Sequence, residues 1–294
     1  MALAVRAVRA YVRWMPGKAG KRAIVERLLE PRLARRANPF VARTIHGARL
    51  QGDHRRIMPR CIYWFGVWEP LLSRWVEERL RPGDVFVDVG ANMGYFSLLA
   101  ARRVGRDGGV VAIEAAPSTF RKLTANVALN PGAAVRPVEA AVGEREGAIA
   151  FHRAPWNDAE SSTVARDGTE PAGEVPAFPL ARLLSQHEVA RTRIVKIDIE
   201  GGEWNAVAGL VPDVDRFPRE IELAIEVHPG DPGRDAAALA EMLAPYGFAP
   251  SWLPYDIRST AHLDRRPAVE PLPGLPPPGR MAHLILSRAG LRGT

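Results

Sequence analysis

The sequence predicts an α/β protein in which a largely parallel sheet is wound by helices on both faces. Between residues 85 and 143, the short apolar runs VFVDVG, VVAIEA and AVRPVEAAVG alternate with the amphipathic stretches YFSLLAARRVG and TFRKLTANVALN, a strand–helix–strand–helix–strand order. The same alternation resumes at RIVKIDIEGGEW and continues through IELAIEVHP, DAAALAEMLAPYG and FAPSWLP. With 294 residues, 47% of them apolar, the chain is long enough to bury a large core.

Taken in order, residues 1–60 read as a basic, partly helical extension and residues 61–294 as the main domain. The first 40 residues hold ten Lys or Arg against two Glu, which leaves 30 basic and 31 acidic residues in the rest of a chain whose formal charge is +7. The basicity therefore belongs to an appendage, and the body is close to neutral. In MALAVRAVRAYVRW the arginines interrupt any signal-peptide core, and no segment has the apolar length of a membrane span. The segment could lie peripherally on an anionic membrane, with Leu3, Val5, Val8, Tyr11, Val12 and Trp14 as its apolar side. The plainer alternative is a solvated helix resting loosely on the body. A single cysteine, Cys61, excludes an intramolecular disulfide framework and fits a cytoplasmic protein.

Beyond the extension, IYWF reads as a short aromatic strand or turn and residues 69–80 as an amphipathic helix stopped by Pro82 and Gly83. After the first three strand candidates, residues 151–176 are polar and rich in Gly, Pro, Ser and Thr, and read as a long loop of the kind that often serves binding. The proline-rich tract RPAVEPLPGLPPPGR then connects to MAHLILS, read as a last strand.

VFVDVGANMG carries the chemistry. In an open parallel sheet, ligands lie beyond the carboxyl ends of the strands where strand order reverses. There Gly90 and Gly94 permit close backbone approach, and Asn92 tolerates a positive φ. The spacing D-x-G-x-N-x-G differs from the dinucleotide-binding G-x-G-x-x-G, and Asp88 is unfavourable to a pyrophosphate. A carboxylate at that tip suits a cation such as S-adenosylmethionine. Glu114, at the tip of the second strand candidate, can accept from both hydroxyls of a ribose, and Glu139, at the end of the third, could face the adenine edge.

RIVKIDIEGGEW delivers Asp198 to the same edge, with Glu200 and Glu203 following. These acids could hold the cofactor, take a proton from an acceptor or bind a divalent cation. Glu200 and Glu203 could equally serve only the positive end of the next helix. IELAIEVHP adds Glu226 and His228, and a histidine with a pKa near about 6.5 can act as a base.

These segments resemble the FkbM-type methyltransferases. The resemblance is carried by DVGANMGYFSLLAA, AIEAAPSTFRKLTANVALN, VEAAVGEREG, IVKIDIEGGEW and IEVH, and spans residues 62–228. It implies a Rossmann-like class I methyltransferase fold with a seven-stranded, mostly parallel sheet. It also implies S-adenosylmethionine bound through Asp88, Gly90, Asn92, Gly94 and Glu114. The implied reaction is O-methylation of a small-molecule or glycan acceptor, such as a sugar, glycolipid, polysaccharide or natural product, with Asp198, Glu200 and His228 as catalytic candidates. Ser161 and Ser162 resemble the family's serine pair, whereas Leu180-Ala181 departs from its Leu-Asp pair and removes a capping carboxylate.

Two rival readings follow from the same residues. A nucleic-acid methyltransferase would suit the basic extension, but the turn after the fourth strand reads DIEGG rather than Asn/Asp-Pro-Pro-aromatic. A catalytically idle nucleoside-binding module would keep the same turn and tips without turnover.

Overall fold

The computed structural model describes residues 2–14, 20–154, 162–163, 168–228, 235–256 and 269–288. The chain opens with α1 (Ala2–Trp14). A helical stretch follows, composed of α2 (Lys21–Ala23), π-helical residues Ile24–Leu29 and α3 (Glu30–Leu33). Then come a hairpin of β1 (Pro39–Arg43) and β2 (Arg49–Asp53), helix α4 (Ile57–Phe65) and helix α5 (Pro70–Arg79). The hairpin was not foreseen, and IYWF is the last turn of α4 rather than a strand. A boundary at residue 60 thus falls inside a helix.

The extension is docked on the body. Val5 and Val12 of α1 are buried with Val25 and with Trp64 of α4, so that side of α1 faces protein rather than an outside surface. Arg13 secures it: its guanidinium donates to the carbonyls of Ile62 (2.6 Å), Tyr63 (2.8 Å) and Trp64 (3.3 Å) in α4 and of Arg43 (2.7 Å) in β1. Three of these acceptors belong to the last turn of α4, where the Ile62 carbonyl also accepts from the Gly66 N–H at 3.0 Å and the helix supplies no further donors. Among the described residues no helix is long and apolar enough to cross a membrane.

The central elements then run β3 (Val85–Val89), α6 (Tyr95–Val104), β4 (Gly109–Glu114), α7 (Pro117–Ala128) and β5 (Val135–Glu139). Three shorter strands follow: β6 (Ala141–Val142), β7 (Gly147–Arg153) and β8 (Glu170–Phe178). The sheet resumes with α8 (Gln186–Arg191), β9 (Thr192–Ile197), α9 (Glu203–Leu210), β10 (Glu222–Val227), α10 (Ala236–Leu243), β11 (Phe248–Pro254), β12 (Leu272–Pro273) and β13 (Ala282–Arg288). Where the missing Leu-Asp carboxylate left a cap in question, α8 begins with a capping box between Ser185 and Glu188.

The main sheet has the order β12-β11-β13-β10-β9-β3-β4-β5. Strands β10, β9, β3, β4 and β5 are parallel, and β13 and β11 add antiparallel. Seven strands match the expected count, and the eighth is the two-residue β12, a piece of the proline-rich tract paired to β11. Strand side chains alternate between two cores: Val85, Val87, Val195, Ile197 and Leu223 face one, Phe86, Val110, Ile194 and Ala224 the other. Burial on both faces explains why these strands read as near-continuous apolar runs.

The segment read as a loop contains an antiparallel ribbon, β7 with β8, joined to β6 in a second sheet. Its apolar side is small, with Phe151, Val175 and Ala177 packing on Ala116 and Ala141, and the intervening Gly, Pro and Glu obscure the two-residue period. Residues 155–161 of that segment, with Ser161 among them, lie outside the described residues.

Candidate active site

Chain order reverses between β3 and β9, and a cavity of about 800 Å³ opens at the carboxyl ends of these strands. Gly90, Asn92, Glu114, Asp198 and Glu200 lie on its wall, as five of the predicted residues. Asp88, Gly94, Glu139 and His228 do not. Glu226, Ser162 and three residues not foreseen as site residues, Glu69, Trp68 and Tyr255, complete the neighbourhood used below.

The turn after β3 is shaped first by the protein itself. Gly90 has φ +78°, and a Cβ there would lie 1.8 Å from the carbonyl oxygen of Asp198, so its bareness serves the close approach of two strand ends. Asn92 is left-handed at φ 51°. Its N–H donates to Glu114 Oε2 at 2.8 Å, while the Ala116 N–H donates to Oε1 at 2.9 Å. Burial pushes the Glu114 carboxyl up to about 7, against the pull of those two backbone donors. The two bonds fix the carboxylate's direction and leave further lone pairs for hydroxyl donors. Glu139 pairs in register with Glu114 but is exposed and off the wall, where Ala140, Ala141 and Val142 stand instead.

Asp88 does not present its charge to the cavity. It is 1% exposed, Ser97 Oγ of α6 donates to its Oδ2 at 2.6 Å, and Lys196 Nζ lies 3.8 Å from Oδ1. The period of two explains this: Asp88 shares the Phe86 side of β3, under α6. Burial raises its pKa, partly offset by Lys196 and Ser97.

Lys196 links this buried acid to the wall, because its Nζ also donates to Asp198 Oδ2 at 2.9 Å. Burial would raise the Asp198 carboxyl, but the ammonium overrides it and, with a hydrogen bond to Glu226, holds it down to about 2. Glu226 moves the other way, pushed well above the usual carboxylate range by burial and by the charge of Asp198. Of the two carboxyls, Asp198 is therefore the stronger acid, and its charge opposes ionisation of Glu226. His228 Nε2 lies 3.0 Å from Glu226 Oε2 and 3.9 Å from Glu200 Oε2, which places the histidine behind the acids. Ser162 Oγ donates to the Glu200 carbonyl at 2.7 Å. Glu203 is turned from the cavity to its own loop, accepting from the N–H groups of Ile199 (3.0 Å) and Gly201 (2.9 Å).

Among the described residues three non-glycine residues have positive φ, Glu69 (41°), Asn92 (51°) and Glu200 (59°), and all three line this cavity. Such conformations persist where surrounding structure imposes them, and they concentrate at functional sites. Glu69, Asp198 and Glu226 can also each offer an oxygen within 4.8 Å of the others, an all-carboxylate set of the sort hard divalent cations take. Two signals for these acids and their base were present in the sequence. Glu69 directly precedes Pro70 at a helix start, and Lys196 is a cation set between Val195 and Ile197 in an apolar run. Tyr255 carried no comparable signal.

The model of the Methyltransferase FkbM domain matches residues 88–249. The chain is 27% identical over 202 residues to Methyltransferase 1 of Beauveria bassiana, covering 60% of this chain and 79% of that protein. It is 26% identical to Hexuronic acid methyltransferase AglP of Haloferax volcanii, over 55% of this chain and 63% of the relative. To 31-O-demethyl-FK506 methyltransferase FkbM of Streptomyces tacrolimicus it is 30% identical, over 56% of this chain and 71% of that one.

Proposed function

This chain belongs to the FkbM methyltransferase family, and from that premise we propose that it transfers the methyl group of S-adenosylmethionine to a hydroxyl oxygen of a sugar-bearing acceptor. The observation that carries this reading is the shared wall of one cavity, on which a nucleoside-accepting Glu114 and an ionised Asp198 face the same space. The relative that acts on hexuronic acid supports a saccharide acceptor.

The fit can be followed residue by residue. Glu114 is oriented by its two backbone donors to accept from ribose hydroxyls, and the Ala140–Val142 strip with Phe151 offers an apolar wall for the base. Asp198, kept anionic by Lys196, is a steady counter-charge for a sulfonium and a poor proton acceptor. Asp88 is then a positioning residue that shares Lys196 and ties β3 to α6. When bound, S-adenosylmethionine supplies an activated methyl on a positively charged sulfur.

The acceptor oxygen forms its bond to the methyl carbon as the carbon–sulfur bond breaks, and its proton must leave with it. Glu200 is the base on the wall, with His228 behind it to carry the proton outward. A divalent cation would sit among Glu69, Asp198 and Glu226, where the Lys196 ammonium already donates to Asp198. We assign the electrostatic role to Lys196.

The test is a titration with S-adenosylhomocysteine beside methyl transfer to a panel of glycosides. Glu200→Gln is expected to keep the titration and lose about 10²-fold or more in turnover. Asp198→Asn should lower turnover and weaken S-adenosylmethionine, whose sulfonium loses its counter-charge, more than it weakens S-adenosylhomocysteine. A wild-type protein that takes up no S-adenosylhomocysteine, or full turnover in both variants, would overturn the reading.

A further inference from the structure

A second cavity, of about 560 Å³, lies where α6 and α7 end. Both helices start beside the strand tips that border the first cavity, and the ten residues of α6 carry the chain about 15 Å away from them. Gly105 and Leu129, which close α6 and α7, stand on its wall with the turn of the β1–β2 hairpin. Four arginines from separate segments meet there: Arg43 of β1, Arg49 of β2, Arg102 of α6 and Arg106 just beyond it. Among the described residues no acid lines this space.

The charge of these arginines is not matched by the protein. Among the described residues no carboxylate forms an ion pair with any of the four. Arg102 Nε donates to a neutral acceptor, the His46 carbonyl, at 3.3 Å, and its guanidinium crosses the bare Gly47, where a Cβ would lie 2.7 Å from it. Asp107 follows Arg106 in the chain but is off the wall, and Glu77 is engaged by His46 Nδ1 at 2.8 Å. The two helix ends contribute about half a negative charge each, roughly one against four. Arg43 and Arg49 also stand directly opposite each other in the hairpin, and like charges so placed destabilise a strand pair. Cations serving solubility alone would gain by spreading apart. Gathered in one concave space, they hold a field that an anion relieves.

We propose that this cavity is a second ligand site, separate from the methyl-transfer cavity, and that it takes a phosphate group. A phosphate monoester carries a charge of about −1.5 to −2 and three acceptor oxygens, which suits an excess of several guanidiniums better than one carboxylate does. A nucleic acid would call on a stripe of cations along an outer face, rather than on a cluster within one hollow. The proposal goes beyond the methyl-transfer reading and does not depend on it.

Binding of glycerol 3-phosphate by the full chain, with glycerol as the neutral control, tests the site. Glycerol 3-phosphate should bind, glycerol should not, and added salt should weaken the phosphate ester. Arg43→Gln combined with Arg106→Gln, both exposed positions, should weaken it about tenfold or more. The double variant should also keep wild-type S-adenosylhomocysteine affinity and melt at or above the wild-type Tm, because it relieves a repulsion. Phosphatidylcholine vesicles carrying phosphatidic acid separate the two sources of the phosphate: displacement of glycerol 3-phosphate by them places it on a membrane lipid, and no displacement places it on a soluble ester. Failure of the wild type to bind glycerol 3-phosphate, equal binding by the double variant, displacement by an RNA hairpin, or a lowered Tm or altered S-adenosylhomocysteine affinity in that variant would each overturn the site.

Discussion

Gly90 and Gly94 occupy the same turn, yet the structure asks different things of them. A methyl at Gly90 would overlap the Asp198 carbonyl at 1.8 Å, and neither backbone can swing aside without separating β3 from β9. At Gly94 the nearest atom is the tip of Leu123 at 2.8 Å, a side chain that can turn. Both have positive φ, so each alanine adds roughly 1–2 kcal/mol of backbone strain. Gly90→Ala is therefore expected to lose about 3 kcal/mol or more in chemical denaturation, Gly94→Ala nearer 1–2. Comparable midpoints for the two variants would show that the strand ends are not locked as described. Glu114 gives a second test at this scale. Its folded carboxyl at about 7 lies above the ordinary 4.5, so the folded state holds a proton that the unfolded state has released. Stability from this group is full below the ordinary value and declines as pH rises through about 7, a decline that Glu114→Gln should flatten in thermal melts. Donor affinity in the wild type should run the opposite way, rising through the same window, because ribose hydroxyls favour the ionised carboxylate.

Among the elements, β9 holds the clearest link between sequence and site. Lys196 interrupts Ile194, Val195 and Ile197, and its side chain stands on the Asp88 side with acids on either hand. Lys196→Met would fill the space and leave both acids without their cation, at a cost of about 3–5 kcal/mol. The sign of its pH dependence follows from Asp198. That carboxyl is held near 2 instead of 3.8, so Lys196 contributes stability above the ordinary value and loses it as pH falls through about 2. The gap between wild type and variant, measured in urea, should narrow toward acid pH. A constant gap would mean that Lys196 acts by packing alone.

The same contrast explains what could be read beforehand. Strands β3, β4, β9 and β10 are buried on both sides and announce themselves as apolar runs, and each has an acid at its end or within one residue of it. Position along the strand was legible, but direction was harder to weigh. Asp88, one residue short of the strand end, reads from the sequence as a ligand contact, although the two-residue period turns it under α6. The β1–β2 hairpin and the β7–β8 ribbon escaped because each buries few apolar side chains, and the residues between them are the Gly, Pro and charged types that ordinarily mark loops. Glu69 reached the cavity from a helix start more than a hundred residues before Asp198, a meeting that no local spacing encodes.

For the molecule as a whole, the N-terminal extension behaves as part of the scaffold that forms the cavity. Arg13 draws α1 onto α4 through three carbonyls and onto β1 through a fourth, and the same α4 places Met58 and Pro59 on the cavity wall. Hydrogen bonds to a charged donor contribute roughly 1.5–3 kcal/mol each when isolated. A single guanidinium sharing four acceptors contributes less than their sum, since the carbonyls left behind can take up water. Arg13→Ala is thus expected to cost about 2–3 kcal/mol, which for a domain of this size lowers Tm by roughly 5–10 °C. Arg13→Lys should recover little, because an ammonium cannot span carbonyls on both α4 and β1 with the planar reach of a guanidinium. A tethered α1 also requires that loosening it loosen α4, so saccharide binding should weaken in Arg13→Ala while S-adenosylhomocysteine binding, proposed above to use the strand tips, stays near wild type. If instead Tm and saccharide affinity both stay at wild-type values, α1 is an ornament on the surface and the roof of the cavity stands without it.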